Sequence, residues 1–274
     1  MARILSILVG LFFVVALAWS LLVGLLNFEL PHSVEQEFYE HPKEVHFASD
    51  GAFGKFDRQQ LQRGFQVYKE VCSACHSLRL VAFRDLAALG YNEAEVKAIA
   101  AGFQVPGIDP NTGEATTRPG LATDYFPKPY ANDVAAGAAN NNAIPPDLSL
   151  MAKARHDGAA YVYSLLTGYQ NPPADLPEAY RPGTGLHYNP YFPNLNLAMA
   201  PPLVEGQVEF GDGSPSTVEQ MSKDISAFLV WTAEPTLEKR KQTGWPVLGF
   251  LLFATILGFL SFRNIWADKK KNKG

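Results

Sequence analysis

The residues with the clearest chemistry lie within five positions, Cys72-Ser73-Ala74-Cys75-His76, and the chain has no other cysteine. In the pattern C-x-x-C-H, two thiols one helical turn apart reach the two vinyl groups of one haem, and the adjacent histidine becomes the proximal iron ligand. A thioredoxin-like redox pair also contains C-x-x-C, but it lies at a strand–helix junction rather than after a helix. A structural zinc site needs two further soft ligands, and no cysteine remains to supply them. The motif therefore predicts one covalently bound haem c.

The predicted sixth ligand of the iron is Met199. It lies in the segment Asn196–Pro202, where two prolines stiffen the loop, and a stiff loop holds a thioether at little ordering cost. Ligation by methionine and histidine raises the reduction potential relative to two histidines. Met151, in another proline-rich loop, is a rival ligand, and His156 and His187 remain alternatives.

Two predicted helices flank the ligands along the chain. In Asp57–Val71 the apolar residues recur at helical spacing, and Ser216–Ala233 carries a second apolar stripe behind a possible capping box of Ser216 and Glu219. The order helix, C-x-x-C-H, loops, methionine, helix is that of cytochrome c folds, in which the first and last helices cross. Gly64 allows a close approach at that crossing, where we expect these aromatic side chains: Phe65, Tyr68 and Phe228 or Trp231.

The chain between these helices is predicted to be mostly irregular. Asn92, with Glu95 three residues later, marks a helix start, and Gly102 marks its end. Residues 106–215 hold 16 of the 20 prolines, a density that excludes long helices and central strands. Short helices are expected near Ala131–Asn141 and Ala159–Thr167.

An uncharged apolar run, Ile4–Phe28, is long enough to cross a bilayer core of about 30 Å. The segment Ala16–Ala18 resembles a signal-peptide cleavage site, so cleavage is an alternative. The run continues ten residues beyond Ala18, further than an export signal needs, and this favours an uncleaved anchor.

A second apolar run, Trp245–Trp266, is bounded by tryptophans that suit the headgroup level, with Arg263 able to reach the interface. The basic tail of residues 269–273 predicts a cytoplasmic C-terminus, although the cluster Lys239–Lys241 on the other side weakens the charge rule. Because c-type haem is attached outside the cytoplasmic membrane in bacteria, we expect the middle of the chain in the periplasm of a bacterial inner membrane.

Charge is distributed unevenly along the chain. Residues 29–238 contain 26 acidic and 14 basic side chains, a net charge of −12 against −4 for the whole chain. A strongly acidic domain disfavours nucleic acid and attracts basic partners. The prediction is a mainly α protein with long irregular loops, divided into an N-terminal apolar segment (1–28), an extended lead-in (29–56), a haem domain (57–238) and a C-terminal membrane anchor (239–274).

Beyond these patterns, the sequence resembles the cytochrome c1 family, the haem subunits of quinol–cytochrome c oxidoreductase (bc1) complexes. The matching segments are Arg63–Tyr68, the haem motif, Asp124–Tyr130, Ala138–Asn141, Pro145–Ser149, Ala154–His156, Tyr161–Tyr169, Asn189–Pro193 and Met199–Leu203. Several such segments in the same order are far more specific than C-x-x-C-H alone. Two features differ from the family: members usually have a cleaved signal, and some bacterial members have an extra cysteine pair that is absent here.

The resemblance implies a role for each matching site residue. His76 and Met199 are the implied iron ligands, and Cys72 and Cys75 form the thioether bonds. Arg155 is implied near a haem propionate, and Tyr161 and Asn140 are implied in the lining of the haem pocket.

The resemblance also implies an electron relay rather than an enzyme acting alone. The implied donor is the Rieske iron–sulfur protein, the acceptor is a basic cytochrome c, and the chain assembles with cytochrome b in a dimeric, lipid-embedded complex. Two alternatives remain at this point: a stand-alone membrane-anchored cytochrome c, and a haem enzyme such as a peroxidase with a vacant sixth position.

Overall fold

The computed structural model describes residues 2–27 and 33–271, so the predictions for Phe28 and Lys273 lie outside the described residues. The chain divides into two units, Met1–Phe38 and Tyr39–Gly274. The first unit contains α1 (Ala2–Leu26) and the short α2 (Val34–Phe38). From Arg3 to Leu26, α1 is long and apolar enough to be a candidate membrane span.

The second unit is mainly helical, as predicted. Its α-helices are α3 (Arg58–Glu70), α4 (Glu93–Ala101), α5 (Asp133–Ala139), α6 (Met151–Ala154), α7 (Gly158–Thr167), α8 (Val218–Ala233) and α9 (Leu237–Lys271). Its 3₁₀ helices are Cys72–Ala74, Phe83–Leu89 and Glu178–Tyr180. Its strands are β1 (Gln104–Ile108), β2 (Ala115–Pro119), β3 (His187–Tyr188) and β4 (Asn196–Leu197), paired antiparallel as β1–β2 and β3–β4.

The core of the second unit is the crossing of α3 and α8. Asp57 caps α3 by accepting hydrogen bonds from the backbone N–H groups of Gln59 and Gln60, which satisfies donors that the first helical turn leaves free. At Gly64 the backbones come so close that an added Cβ would lie 2.1 Å from the carbonyl oxygen of Asp224. The structure therefore confirms the predicted crossing of these two helices and the close approach that Gly64 allows there.

A buried ion pair joins the two helices beside this contact. The carboxylate of Asp224 on α8 is fully buried, and Arg63 on α3 approaches it through Nε at 2.7 Å. The side chains of Gln60 and Gln220 donate two further hydrogen bonds to Asp224 Oδ1, at 3.1 Å and 2.8 Å. Such a carboxylate is tolerated in the core because its oxygens are paired and hydrogen-bonded.

Aromatic rings fill the space around the crossing. The rings of Phe65 and Phe228 lie 5.8 Å apart between centroids, and Tyr68 lies 6.0 Å from Phe228. Phe126 extends the cluster to Phe83, with ring centroids 4.4 Å apart. The predicted contacts of Phe65, Tyr68 and Phe228 are confirmed, and rings at these separations add about 0.5–1.5 kcal/mol per pair beyond area burial.

The predicted capping box of α8 is wrong in its details. The N-cap is Thr217, whose side chain accepts from the backbone N–H of Gln220. Ser216 instead accepts from the N–H of Val208 at 3.3 Å and lies 3.7 Å from the sulfur of Met221. Its hydroxyl therefore bonds to the preceding loop and to the Met221 side chain, and the backbone N–H of Gln220 is capped by Thr217 instead.

The proline-rich middle of the chain forms short elements between loops. The predicted short helices appear as α5 and α7, and α4 has the expected capping box of Asn92 and Glu95, with Gly102 at its C-cap. The structure adds the β1–β2 hairpin, in which Pro106 is paired with Thr117. A two-stranded hairpin tolerates proline because each strand is an edge strand.

The start of the second unit packs against its centre. The N–H of Glu40 donates to the carbonyl oxygen of Pro190 at 2.9 Å, and the N–H of Lys43 donates to Ser164 Oγ at 2.8 Å. Phe47 is buried in the main hydrophobic core. The predicted lead-in is thus attached to the domain that follows it, from residue 39 onward.

Candidate haem site

The cysteine motif directly follows α3. Val71 ends the helix, and the N–H groups of Cys75 and His76 both donate to the carbonyl oxygen of Cys72, at 3.1 Å and 2.8 Å. This tight turn holds both thiols, half-buried, on one short segment. Burial, together with the neighbouring Cys75, raises the pKa of the Cys72 thiol to about 12. A redox-active thiol needs a lowered pKa, so this environment argues against a thioredoxin-like pair.

The ring of His76 is oriented by a backbone acceptor. His76 Nδ1 lies 2.8 Å from the carbonyl oxygen of Pro146. A carbonyl oxygen only accepts, so Nδ1 carries the hydrogen and Nε2 keeps a free lone pair. Burial lowers the pKa of His76, although the bond to Pro146 opposes this, and the ring is neutral. A neutral imidazole with Nδ1 bonded to a carbonyl is the usual state of an iron-ligating histidine.

Asp147 holds the loop that carries this carbonyl. Its Oδ2 accepts from Ser77 Oγ at 2.7 Å and from the N–H of Arg79 at 2.9 Å, and its Oδ1 accepts from the N–H of Ser149 at 3.0 Å. Burial raises the pKa of the Asp147 carboxyl, but these hydrogen bonds outweigh it and the net shift is downward. The Asp147 carboxylate therefore connects the segment after His76 to the loop whose Pro146 carbonyl oxygen orients the His76 ring.

Met199 lies, half-buried, just after β4, whose register is Asn196 opposite Tyr188 and Leu197 opposite His187. The hydroxyl of Tyr169 donates to the Met199 carbonyl oxygen at 3.0 Å. Burial raises the pKa of Tyr169, so this hydroxyl keeps its proton. The short β3–β4 sheet and the tyrosine together fix the backbone of the methionine loop.

The rival ligands occupy different surroundings. Met151 begins α6 and packs against the main hydrophobic core. The side chain of His156 is fully exposed, and His187 lies half-buried on β3. Packing in the core occupies the Met151 side chain, whereas Met199 lies on a loop with its backbone held in place.

Of the remaining predicted pocket residues, Arg155 and Tyr161 are neighbours, and Asn140 lies at the end of a different helix. Exposed Arg155 follows α6 and lies near buried Tyr161 on α7, where burial raises the pKa of the phenol and Arg155 opposes that shift. Tyr161 in turn lies close enough to Tyr169 to influence its pKa, which links this group to the Met199 loop. Asn140 is the C-cap of α5, and its Nδ2 donates to the Ala136 carbonyl oxygen at 2.7 Å.

Tyr130 was not among the predicted site residues. Its hydroxyl lies 3.6 Å from Cys75 Sγ, close enough for a hydrogen bond to sulfur. Tyr130 is the last residue of the matching segment Asp124–Tyr130. The resemblance to the family was therefore the one sequence feature that included Tyr130, and it implied no role for this residue.

These donors fit a haem bound through the motif. Two thiols sit on one turn, and the adjacent imidazole has one nitrogen bonded and one free. Among residues 2–27 and 33–271, no group of three or more histidine, cysteine, aspartate or glutamate side chains is placed to hold a metal ion.

Comparison with known proteins shows the family to which the chain belongs. The model of the Cytochrome C1 family matches residues 47–269, which is most of the chain. The chain belongs to the cytochrome c1 family. This family member is 44% identical over 266 residues to "Cytochrome c1 1, heme protein, mitochondrial" of Arabidopsis thaliana, covering 94% of this chain and 83% of the relative.

Two other relatives come from a bacterium and a yeast. Cytochrome c1 of Rhodospirillum rubrum is 44% identical over 232 residues, covering 80% of this chain and 85% of the relative. The "Cytochrome b-c1 complex catalytic subunit, mitochondrial" of Candida albicans is 44% identical over 236 residues, covering 85% of this chain and 80% of the relative. The relatives of this chain therefore include both bacterial and mitochondrial proteins.

Proposed function

We propose that this chain is the haem subunit of a bc1 complex and relays single electrons from a Rieske iron–sulfur protein to a cytochrome c. It carries one haem c, bound through Cys72 and Cys75, with His76 and Met199 as axial ligands. The observation that carries the proposal is the bond from His76 Nδ1 to the Pro146 carbonyl oxygen, since it leaves the lone pair of Nε2 for iron, on the same short segment as the two thiols. The names of the relatives support haem and the complex.

The protein contributes orientation and burial in this proposal. Bound haem supplies a one-electron iron couple. Pro146 holds the His76 ring in one tautomer, and Asp147 fixes the loop that carries Pro146. Tyr169 fixes the backbone of Met199. Rigid ligands of this kind keep the same geometry in both oxidation states, which favours rapid electron transfer.

The pocket residues have proposed roles as well. Arg155 pairs with a haem propionate, for which a guanidinium gives a strong charge-assisted hydrogen bond. Tyr161, which Arg155 contacts, and Asn140 line the pocket. Arg155 is exposed, so its guanidinium is available for a carboxylate.

The proposed setting is a bacterial inner membrane with the haem domain in the periplasm and the C-terminal tail in the cytoplasm. Both α1 and the Leu237–Ala267 part of α9 are long and apolar enough to cross a bilayer. Proposed partners are cytochrome b and the Rieske protein within a dimeric complex. The net charge of −12 on residues 29–238 suits a basic cytochrome c as the acceptor.

Ligation is tested by spectroscopy on the purified full-length protein. We expect a reduced-minus-oxidised spectrum of c type, and no thiol that reacts with an alkylating reagent after unfolding. Met199→Leu should change the spectrum and lower the midpoint potential, because the thioether ligand raises the potential relative to its alternatives. Met151→Leu, at the rival position, is the matched control and should change neither. A colourless protein with two free thiols contradicts the proposal.

Assembly is tested separately by purification in mild detergent. Co-elution of cytochrome b and an iron–sulfur protein with this chain supports the complex. A haem-loaded chain that elutes alone from native membranes favours the stand-alone anchored cytochrome c instead.

A further inference from the structure

A rigid loop of residues 47–55 lies at the start of the haem-bearing unit. Phe47 and Asp50 close it with two hydrogen bonds: Phe47 N–H to Asp50 Oδ2 at 2.8 Å, and Asp50 N–H to the Phe47 carbonyl oxygen at 3.0 Å. An added Cβ on Gly54 would lie 2.0 Å from the Asp50 carbonyl oxygen, so the chain turns as tightly as glycine allows. This turn presents the side chain of Phe53 outward.

Phe53 is 77% exposed although the loop that carries it is fixed. Its ring stacks on Trp245 of α9, with centroids 5.0 Å apart and planes within 10°. Trp245 is itself 47% exposed. The stacked rings form one exposed apolar patch, and this patch continues into the exposed apolar side chains of α9.

The position of Trp245 along α9 sets the depth of this pair. Trp245 and Trp266 bound the apolar part of the helix, and at 1.5 Å per residue they lie roughly 32 Å apart. The hydrocarbon core of a bilayer is about 30 Å thick. If α9 spans a membrane, Trp245 therefore lies at one interface, and Phe53 lies beside it at the same depth.

Three hydrogen bonds hold the loop region onto α9 independently of the ring stack. Lys241 Nζ donates to the Ser49 carbonyl oxygen at 2.6 Å. Glu238 accepts from the N–H of Phe56 at 2.8 Å and from Arg58 at 3.3 Å. The loop and the outer end of α9 therefore form one continuous surface, and membrane contact at Trp245 extends to Phe53.

We infer that Phe53 and Trp245 insert together into the headgroup–acyl boundary of a phospholipid bilayer, as a second membrane contact of the haem domain. The inference rests on the proposed membrane anchoring by α9. A lipid surface is the occupant because the aromatic pair continues the lipid-facing surface of that helix. The contact limits the tilting of the haem domain about the outer end of α9.

The test is a depth measurement by nitroxide labelling of the full-length, haem-loaded chain in phosphatidylcholine vesicles. Thioether bonds occupy both native cysteines, so single substitutions accept the label specifically. The test variant is Phe53→Cys. Ile256→Cys, in the middle of α9, is the lipid control, and Asn111→Cys, in the exposed turn between β1 and β2, is the water control. Relaxation by oxygen, which concentrates in lipid, is compared with relaxation by a water-soluble nickel chelate.

We expect the oxygen-to-nickel accessibility ratio of the Phe53 label to exceed that of the Asn111 label several-fold and to stay below that of the Ile256 label. A Phe53 ratio equal to that of Asn111, with Ile256 in lipid, overturns this inference and leaves the membrane span intact. A Phe53 label inaccessible to both reagents also overturns it, because protein then covers the site. A water-accessible Ile256 label refutes the α9 span and this inference together.

Discussion

Replacing Gly64 by alanine tests the helix crossing on which the site depends. The new Cβ would lie 2.1 Å from the Asp224 carbonyl oxygen and 2.7 Å from Phe228 Cβ. Contacts under 3.0 Å are essentially absent for real Cβ atoms, so α3 and α8 must separate by roughly 1 Å at this point. Neither neighbour is the end of a flexible side chain, so the strain cannot be relieved locally.

The expected magnitude is the balance of three contributions. Alanine gains about 1 kcal/mol over glycine in a helix interior. Overpacking at a fixed contact costs about 1–3 kcal/mol. Separation of the helices also lengthens the bonds from Arg63 and Gln60 to Asp224, and a weakened hydrogen bond to a buried charge costs about 1.5–3 kcal/mol. The net loss is about 1.5–5 kcal/mol, a large fraction of the 5–15 kcal/mol typical of a domain.

Urea unfolding of the purified protein in a single detergent measures this loss through the absorbance of the haem and through tryptophan fluorescence. Gly137→Ala is the matched control, because Gly137 also lies inside a helix but an added Cβ meets nothing closer than 3.8 Å. It should be neutral or stabilising by up to about 1 kcal/mol. If Gly64→Ala is as stable as Gly137→Ala, the close approach of α3 and α8 is not what requires glycine, and the reasoning fails.

Three further predictions concern charge. Asp147→Asn removes an acceptor for Ser77 and Arg79, so we expect the free energy of unfolding in urea to fall by about 1–3 kcal/mol. An unchanged free energy of unfolding would show that other contacts hold the loop. Hydrogen bonds from Ser214 and then Arg63 lower the pKa of Asp212 from 3.8 to about 2. The Asp212 carboxylate therefore stabilises the fold fully above about pH 4, and this contribution disappears as the pH falls towards 2. The difference in free energy of unfolding between wild type and Asp212→Asn should shrink over the same pH range. Raising ionic strength should slow reduction of a basic cytochrome c in stopped-flow experiments, and a flat response refutes steering by the acidic domain.

The sequence predicted the features that follow from local periodicity and motif. Apolar spacing located α3 and α8 to within two residues at each end, and the glycine on the apolar face of α3 indicated where they cross. The motif C-x-x-C-H predicted three site residues because their spacing is itself the chemical requirement. Membrane-length apolar runs were equally visible, since length and composition alone define them.

The parts that sequence did not predict depend on pairing between distant residues. Nothing in the helical pattern of α8 distinguishes Asp224, which is buried, from an exposed acid, because its partner Arg63 lies 161 residues away. The orientation of His76 depends on a backbone carbonyl at Pro146, and every residue has such a carbonyl. The cap of α8 was assigned one residue early because Ser216 and Thr217 are both good N-cap residues, and only the loop contact of Ser216 decides between them.

The crossing of α3 and α8 also bears on the order of events during biogenesis. The bonds to Asp224 join residues 161 and 164 positions apart, so they form only after nearly the whole domain has been made. The thiols at 72 and 75 emerge long before α8, which begins at residue 218. Closure of loops this long is slow, because chain entropy is lost before the distant contacts compensate for it. Both thiols consequently stay accessible on the nascent polypeptide until α8 has been made, so the proposed covalent attachment of haem has time to occur before the fold closes around them.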